Sequence, residues 1–121
     1  MNCGKSCNCT VFHLDTIKKV EEKLISNDEI HLISNLFKVL SDFTRVKILK
    51  AIESEFLCVC DLAHVVGVTK SGISHQMKLL TKYHMVKEKK EGKMVYYKVS
   101  NPYIVKLLDD VHQFIKGENH A

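Results

Sequence analysis

Residues 57–80 read LCVCDLAHVVGVTKSGISHQMKLL. The stretch breaks at Gly67, a residue suited to the position just past a helix end. Before it, a helix is expected to start near Val59 and run to Val66, with Cys58 as its N-cap. Asp61 then falls at the third helical position, as in a capping box whose hydroxyl has been replaced by a thiol. After the break, Thr69 is a strong N-cap for a second helix, Lys70 to Lys82. A short helix, a few linking residues and a second helix make a helix-turn-helix.

The second helix has two sides. Ile73, Met77, Leu79 and Leu80 supply an apolar one. Thr69 and Lys70 at its start, with Ser71, Gly72, Ser74, His75, Gln76 and Lys78, are polar or small groups able to approach base edges and phosphates. Gly72 lowers helix stability, and its missing side chain would let backbone come close to DNA. Downstream, 85–90 and 94–99 read as two strands around the turn Glu91-Gly92-Lys93, a β-hairpin. Lys82, Lys87, Lys89, Lys90, Lys93 and Lys98 crowd this segment against Glu88 and Glu91. Such a concentration of positive charge is an electrostatic footprint for phosphates. A helix-turn-helix followed by a basic hairpin is a winged helix, with Lys89, Lys90 and Lys93 on the wing. The expected partner is double-stranded operator DNA.

Working outward, Asp42 or Ser41 can cap a helix whose Val46, Ile48, Leu49 and Ile52 face inward. Asp28 or Asn27 can cap an earlier one carrying Ile30, Ile33, Leu36, Phe37 and Leu40. Helical spacing also marks 16–25 and, after Asn101 and Pro102, a last helix with Ile104, Leu107, Leu108, Val111 and Ile115. Apolar faces on the first and last helices of so small a domain suggest a homodimer seam, and a two-fold dimer would present two reading helices to a palindromic site. The fold class expected is mainly α with a small β-hairpin, a dimeric winged helix-turn-helix. Residues 1–15 read as a flexible cysteine-bearing arm, and 16–121 as one domain.

The chain has 121 residues, 45% of them hydrophobic and 26% charged, a globular composition with a net charge of +4. No apolar run approaches the roughly 20 residues of a membrane span. The start, MNCGKSCNCTVFHLD, has no apolar core for a signal peptide. The expectation is a cytoplasmic protein that engages no membrane. No phosphate loop, carboxylate pair or Cys/His arrangement points to an enzyme or a small-molecule substrate.

Five cysteines form two clusters, Cys3, Cys7 and Cys9 in the arm and Cys58 and Cys60 before the reading helix. Cytosolic thiols stay reduced, and their odd number argues further against a disulfide framework. Soft thiolates select Cd²⁺, Pb²⁺, Zn²⁺ or Cu⁺. The Cys58-Val59-Cys60 pair, at the end of a helix where the backbone is only half helical, can supply half a site. The arm cysteines must finish it.

The assembled pieces resemble the ArsR/SmtB family of metal-sensing repressors over about residues 28–116. The resemblance is carried by VLSDFTRVKILKAI (39–52), LCVCDLAHVVGVTKSGISHQMKLL (57–80) and VKEKKEGKMVYYKV (86–99). It implies a dimeric repressor of metal-resistance or efflux genes that leaves its operator when metal binds. LCVCDLA with an N-terminal cysteine cluster is most similar to the CadC-type cadmium and lead sensors of that family. The resemblance implies Cys58 and Cys60 as ligands, joined by Cys7 from the partner subunit's arm. A second arm ligand does not align, because its place is Val11; Cys3 and Cys9 are the candidates. The expected inducer is Cd²⁺ or Pb²⁺, with Zn²⁺ or bismuth as further soft ions. Ala63 stands where an arsenic-type sensor would carry a third cysteine, which weakens an arsenite-responsive reading. Asn101, Tyr103, Phe114 and Gly117 occupy the places of an inter-subunit zinc site and cannot form it. Asp109, His112, Glu118 and His120 are the residues left for a different one. The alternative readings are a thiol-redox-sensing repressor of the same fold and a metal buffer without DNA binding.

Overall fold

The computed structural model describes residues 13–117. They form α1 (Leu14–Lys23), α2 (Asn27–Leu40), α3 (Phe43–Ala51), β1 (Leu57–Cys58), α4 (Val59–Val66), α5 (Lys70–Lys82), β2 (Val86–Glu91), β3 (Met94–Val99) and α6 (Pro102–Gly117). The chain divides into two compact units, residues 1–36 and 37–121. No helix among the described residues is long and apolar enough to cross a membrane.

In the first unit, α1 starts at Leu14 and stops at Lys23, earlier at both ends than the apolar spacing implied. Leu24, with φ −72° and ψ 130°, already leaves it in extended conformation. The start of α2 corrects the expected cap. Ser26, not Asn27 or Asp28, closes it: Ser26 Oγ accepts from the Glu29 N–H at 3.1 Å, and Glu29 Oε1 accepts from the Ser26 N–H at 3.2 Å. That reciprocal pair is a capping box, and it leaves Asn27 as the first helical residue. Leu14, Val20, Leu24, Leu32 and Ile33 remain exposed.

The second unit holds the core. Ile48, Leu49 and Ile52 of the α3 segment, Leu62 of α4, Ile73, Met77 and Leu80 of α5, and Met85 are almost wholly removed from water. Burying each such side chain contributes about 1.5–3 kcal/mol. Asp42 caps α3, its Oδ2 accepting from the Arg45 N–H at 3.0 Å. The end of α5 is turned by His84, held at φ +59°. Met85 N–H then reaches Leu80 O, and His84 N–H reaches Thr81 O, both at 3.0 Å. These two bonds form a Schellman closure, with buried Leu80 and Met85 as its apolar contact. Lys50 joins α3 to α6, pairing with Glu53 and, at 3.0 Å, with Asp109. Those two carboxylates, Glu53 foremost, raise the Lys50 pKa above the ordinary lysine value.

The sheet has one strand more than the expected hairpin. It is antiparallel in the order β1-β3-β2, with Leu57 opposite Tyr97 and Cys58 opposite Tyr96. A two-residue strand is too short to show alternation in sequence, so it was not legible as one. Val99 N–H donates to Ile52 O at 3.0 Å and extends the attachment of β3 beyond β1.

Replacing Leu62 by Ala is expected to cost about 2–5 kcal/mol, because a wholly buried side chain leaves a cavity. Replacing Asp109 by Asn is expected to cost less than about 1 kcal/mol, since the Lys50 pair is solvated. Urea unfolding of both variants checks the ranking; a larger loss at Asp109 would reverse it.

Candidate functional site

The polar start of α5 is built by its cap. Thr69 Oγ1 accepts from the Gly72 N–H at 3.0 Å and lies 3.2 Å from Ser71 Oγ. Gly72 has a nearer reason than access for DNA. A Cβ there would stand 3.1 Å from Thr69 Oγ1, the atom that caps the helix. Lys70, Ser71, Ser74, His75 and Lys78 are exposed, while Gly72 and Gln76 are half-buried. Gln76 is engaged from behind: its Oε1 accepts from Arg45 Nε at 2.9 Å.

The wing closes through Gly92 and Lys93, because Glu91 already pairs with Met94. Gly92 takes φ +61° at the first loop position, which a type II′ hairpin loop reserves for glycine. Alternation along the strands separates the wing lysines. Lys87 stands opposite Lys98, and Lys89 opposite Tyr96, on one face. Glu88, opposite Tyr97, and Lys90, opposite Val95, share the other. Burial, helped by Glu88, raises the Tyr97 pKa. On the first face the Lys87, Lys89 and Lys98 ammonium groups lie 6.0, 4.5 and 5.5 Å from the centre of the Phe56 ring. Lys89 also pairs with Glu91 at 3.4 Å. Lys87, Lys89 and Lys98 all belong to the basic segment that the sequence marks as a footprint for phosphates, whereas Phe56, the ring they share, was not among the expected residues.

The two described thiols differ. Cys58 is the N-cap of α4 in extended conformation, φ −85° and ψ 174°, and only 6% of it is exposed. Its N–H donates to Asp61 Oδ2 at 3.2 Å, as the capping-box reading required. Cys60, at the second helical position, is exposed. Cys3, Cys7, Cys9 and Val11 lie outside the described residues, as do Glu118 and His120. Among the described residues no cluster of three or more His, Cys, Asp or Glu side chains could hold a metal ion. The pair fits a soft ion in kind but is two donors short of a tetrahedral one. On α6, Asn101 Oδ1 is occupied in capping, accepting from the Tyr103 and Ile104 N–H groups at 2.9 and 3.2 Å. Asp109 Oδ1 accepts from Lys50 Nζ at 3.0 Å.

Residues 42–88 match the model of the bacterial regulatory proteins of the arsR family. Along 87% of its length the chain is 30% identical to a transcriptional repressor SmtB homolog of Synechocystis, covering 80% of that protein. The chain belongs to the arsR family. It is also 36% identical to the cadmium resistance transcriptional regulatory protein CadC of Listeria innocua, over 85% of this chain and 87% of that one. Among solved structures, the AntR antimony-specific transcriptional repressor superposes with a TM-score of 0.71 at 29% identity, over 82% of this chain and 90% of that one. A homodimeric winged helix-turn-helix domain from Mycobacterium bovis gives a TM-score of 0.68 at 19% identity, over 79% and 92%. The fold is therefore the winged helix-turn-helix of this family: α4 and α5 are the helix-turn-helix, and β2 and β3 the wing. Its members are DNA-binding regulators, not enzymes.

The crowding at the cap gives a testable coupling. Thr69→Ala is expected to lower stability by about 1 kcal/mol. Gly72→Ala alone gains little, because the new methyl presses on Thr69 Oγ1. In the Thr69→Ala background the same change is expected to stabilise by up to about 1 kcal/mol, the ordinary advantage of Ala over Gly in a helix. Thermal unfolding of the four proteins reads the cycle, and purely additive effects would contradict the contact.

Proposed function

We propose that this chain is a metal-responsive transcriptional repressor that binds operator DNA as a homodimer in the cytoplasm and is released when a soft ion binds a thiolate site. One observation carries the reading: the Cys58/Cys60 pair opens α4, and only Gly67, Val68 and Thr69 separate α4 from the exposed polar start of α5. A ligand held at those thiols acts on the element next to the one that meets DNA. Cys58 is also the strand partner of Tyr96, so the same residue touches the wing.

In this reading Thr69, Lys70, Ser71, Gly72, Ser74, His75 and Lys78 form the face toward the major groove. Lys89, Lys90 and Lys93 contact phosphates from the wing. Cys58 and Cys60 hold the ion together with Cys7 and one of Cys3 and Cys9, on an arm taken as residues 1–15. The bound ion supplies Lewis acidity toward four thiolates and so a tether between arm and helix. Cys60, already exposed, offers its sulfur directly. Cys58 is held at the junction of β1 and α4 by the Asp61 bond, so its recruitment bears on both elements. Linkage requires that metal weaken DNA binding by the factor by which DNA weakens metal binding. The CadC relative and the missing thiol at Ala63 favour Cd²⁺ or Pb²⁺, and Zn²⁺ is the next candidate. The AntR relative, an antimony-specific repressor, keeps antimony as the competing inducer.

Operator binding measured with and without Cd²⁺, Pb²⁺, Zn²⁺, arsenite, antimonite and peroxide tests this. Saturating Cd²⁺ is expected to weaken wild-type binding by roughly 5–150-fold. Cys58→Ser and Cys60→Ser should bind the operator normally and ignore Cd²⁺. Operator affinity untouched by Cd²⁺ in the wild type would sink the cadmium reading, and release by peroxide alone would replace it with thiol oxidation.

The dimer has its own support. Val111, Phe114 and Ile115 of α6 and Ile17, Val20 and Leu24 in the α1 region are exposed apolar side chains. On each helix by itself, that many at helical spacing suggest an association face. Val111→Asp combined with Ile115→Asp is expected to give a monomer in sedimentation and to reduce operator affinity steeply. A doubly substituted protein that still sediments as a dimer would exclude α6 from the seam.

A further inference from the structure

Gln76 sits among residues that read as a DNA-facing set, yet its position on α5 is different from theirs. It lies three residues after Ile73 and four before Leu80, which places it on the inward stripe. Ile73, Met77 and Leu80 on that stripe are buried, and Gln76 is half-buried beside them. Its Oε1 accepts from Arg45 Nε at 2.9 Å. The same guanidinium donates from Nη1 to Val39 O at 2.8 Å. Val39 is buried and belongs to the last turn of α2, where carbonyls lack intrahelical partners. Arg45 is itself fixed at the start of α3, its N–H bonded to Asp42 Oδ2 at 3.0 Å. One planar side chain therefore closes the end of α2 and grips the middle of α5 from behind.

We infer that Gln76 is the inner anchor of the reading helix rather than a base-reading residue, and that Arg45 is the positioning residue that holds it. The inference rests on the DNA-reading role proposed for α5. The guanidinium fork can serve two acceptors at fixed divergence, which a lysine ammonium on a flexible stem cannot. Removing Arg45 leaves Gln76 Oε1 and Val39 O without a partner in a region that excludes much of the water. The helix then loses its tether to Arg45 of α3 and, through it, to Val39, and every contact it makes with DNA loosens together.

The test is a double-substitution cycle with Arg45→Ala, Gln76→Ala and both, read as affinity for the operator, for its single-base variants and across a salt series. Each single change is expected to weaken operator binding about tenfold or more, and the pair no further. Discrimination should fall at every base position alike. Arg45→Lys should not restore it. The salt slope of Arg45→Ala should stay unchanged, since Arg45 neutralises no phosphate. Gln76→Glu keeps an acceptor for Arg45 and should bind the operator nearly as well as wild type, which keeps the test decisive should Arg45→Ala fail to fold. Additive losses, or Gln76→Ala relaxing a single base pair, would make Gln76 a reader and overturn the inference. So would a slope reduced by about 0.9 in Arg45→Ala, the signature of a lost phosphate contact. So would a collapse of binding in Gln76→Glu, where a new charge would face the DNA. A wild-type chain that binds no duplex at all would instead remove the DNA-reading role of α5.

Discussion

Three residues, Gly67, Val68 and Thr69, stop one helix and start the next, and the rest of the second unit is arranged around that turn. Gly67 holds φ +84°. A Cβ there would meet nothing within 4 Å, so the backbone angle rather than space demands glycine. Its N–H still closes α4 onto Ala63 O at 2.9 Å. Two residues later Thr69 opens α5 with its own side chain. Across that turn α4 packs against α5, and on its other flank against α3, with Leu62 and Val66 of α4 and Ile73, Met77 and Leu80 of α5 buried. The exposed start of α5 is a consequence: a helix with Ile73, Met77 and Leu80 fixed inward must turn Ser71, Ser74, His75 and Lys78 outward.

The sheet follows from the same packing. Val86 and Val99 are buried and stand opposite each other at the base of the wing, which sets the register for every pair beyond them. Register then puts Lys87 directly opposite Lys98, a like-charged pair that is unfavourable by itself. The Phe56 ring lies against both and against Lys89. The negative face of a ring attracts an ammonium by about 0.5–1 kcal/mol at an exposed site, enough to offset part of the repulsion. Phe56 leads directly into β1, so the ring that gathers the wing lysines lies on the same short segment as Cys58.

Cys58 occupies a junction. It ends β1, opposes Tyr96 of the wing, caps α4 and donates its N–H to Asp61. A thiol in that place is constrained by strand and helix together, whereas Cys60, one turn-fraction on, is constrained by the helix alone. In the proposed thiolate site, Cys58 is the sulfur whose displacement would bear on both the wing and the helix-turn-helix, because it belongs to β1 and caps α4.

The helix-turn-helix, its two caps and the wing were legible because each is specified by residues a few positions apart: Cys58 with Asp61, Thr69 with Gly72, Gly92 between two alternating strands. The boundaries that went astray have local explanations as well. Ser26 and Glu29 cap α2 with the spacing of a capping box, and Asn27 and Asp28, both good caps by type, masked it. What sequence could not show is contact between distant positions. Arg45 and Gln76 are 31 residues apart, and nothing in either neighbourhood names the other. Read along the chain, Gln76 belongs with the polar residues around it, because hydrogen-bonding capacity looks the same whether it is spent on a base or on a guanidinium. Helical spacing from Ile73 and Leu80 already hinted at the inward side. A polar residue on an apolar stripe needs a buried partner, so its presence there is a reason to look for one before assigning it to solvent or to DNA.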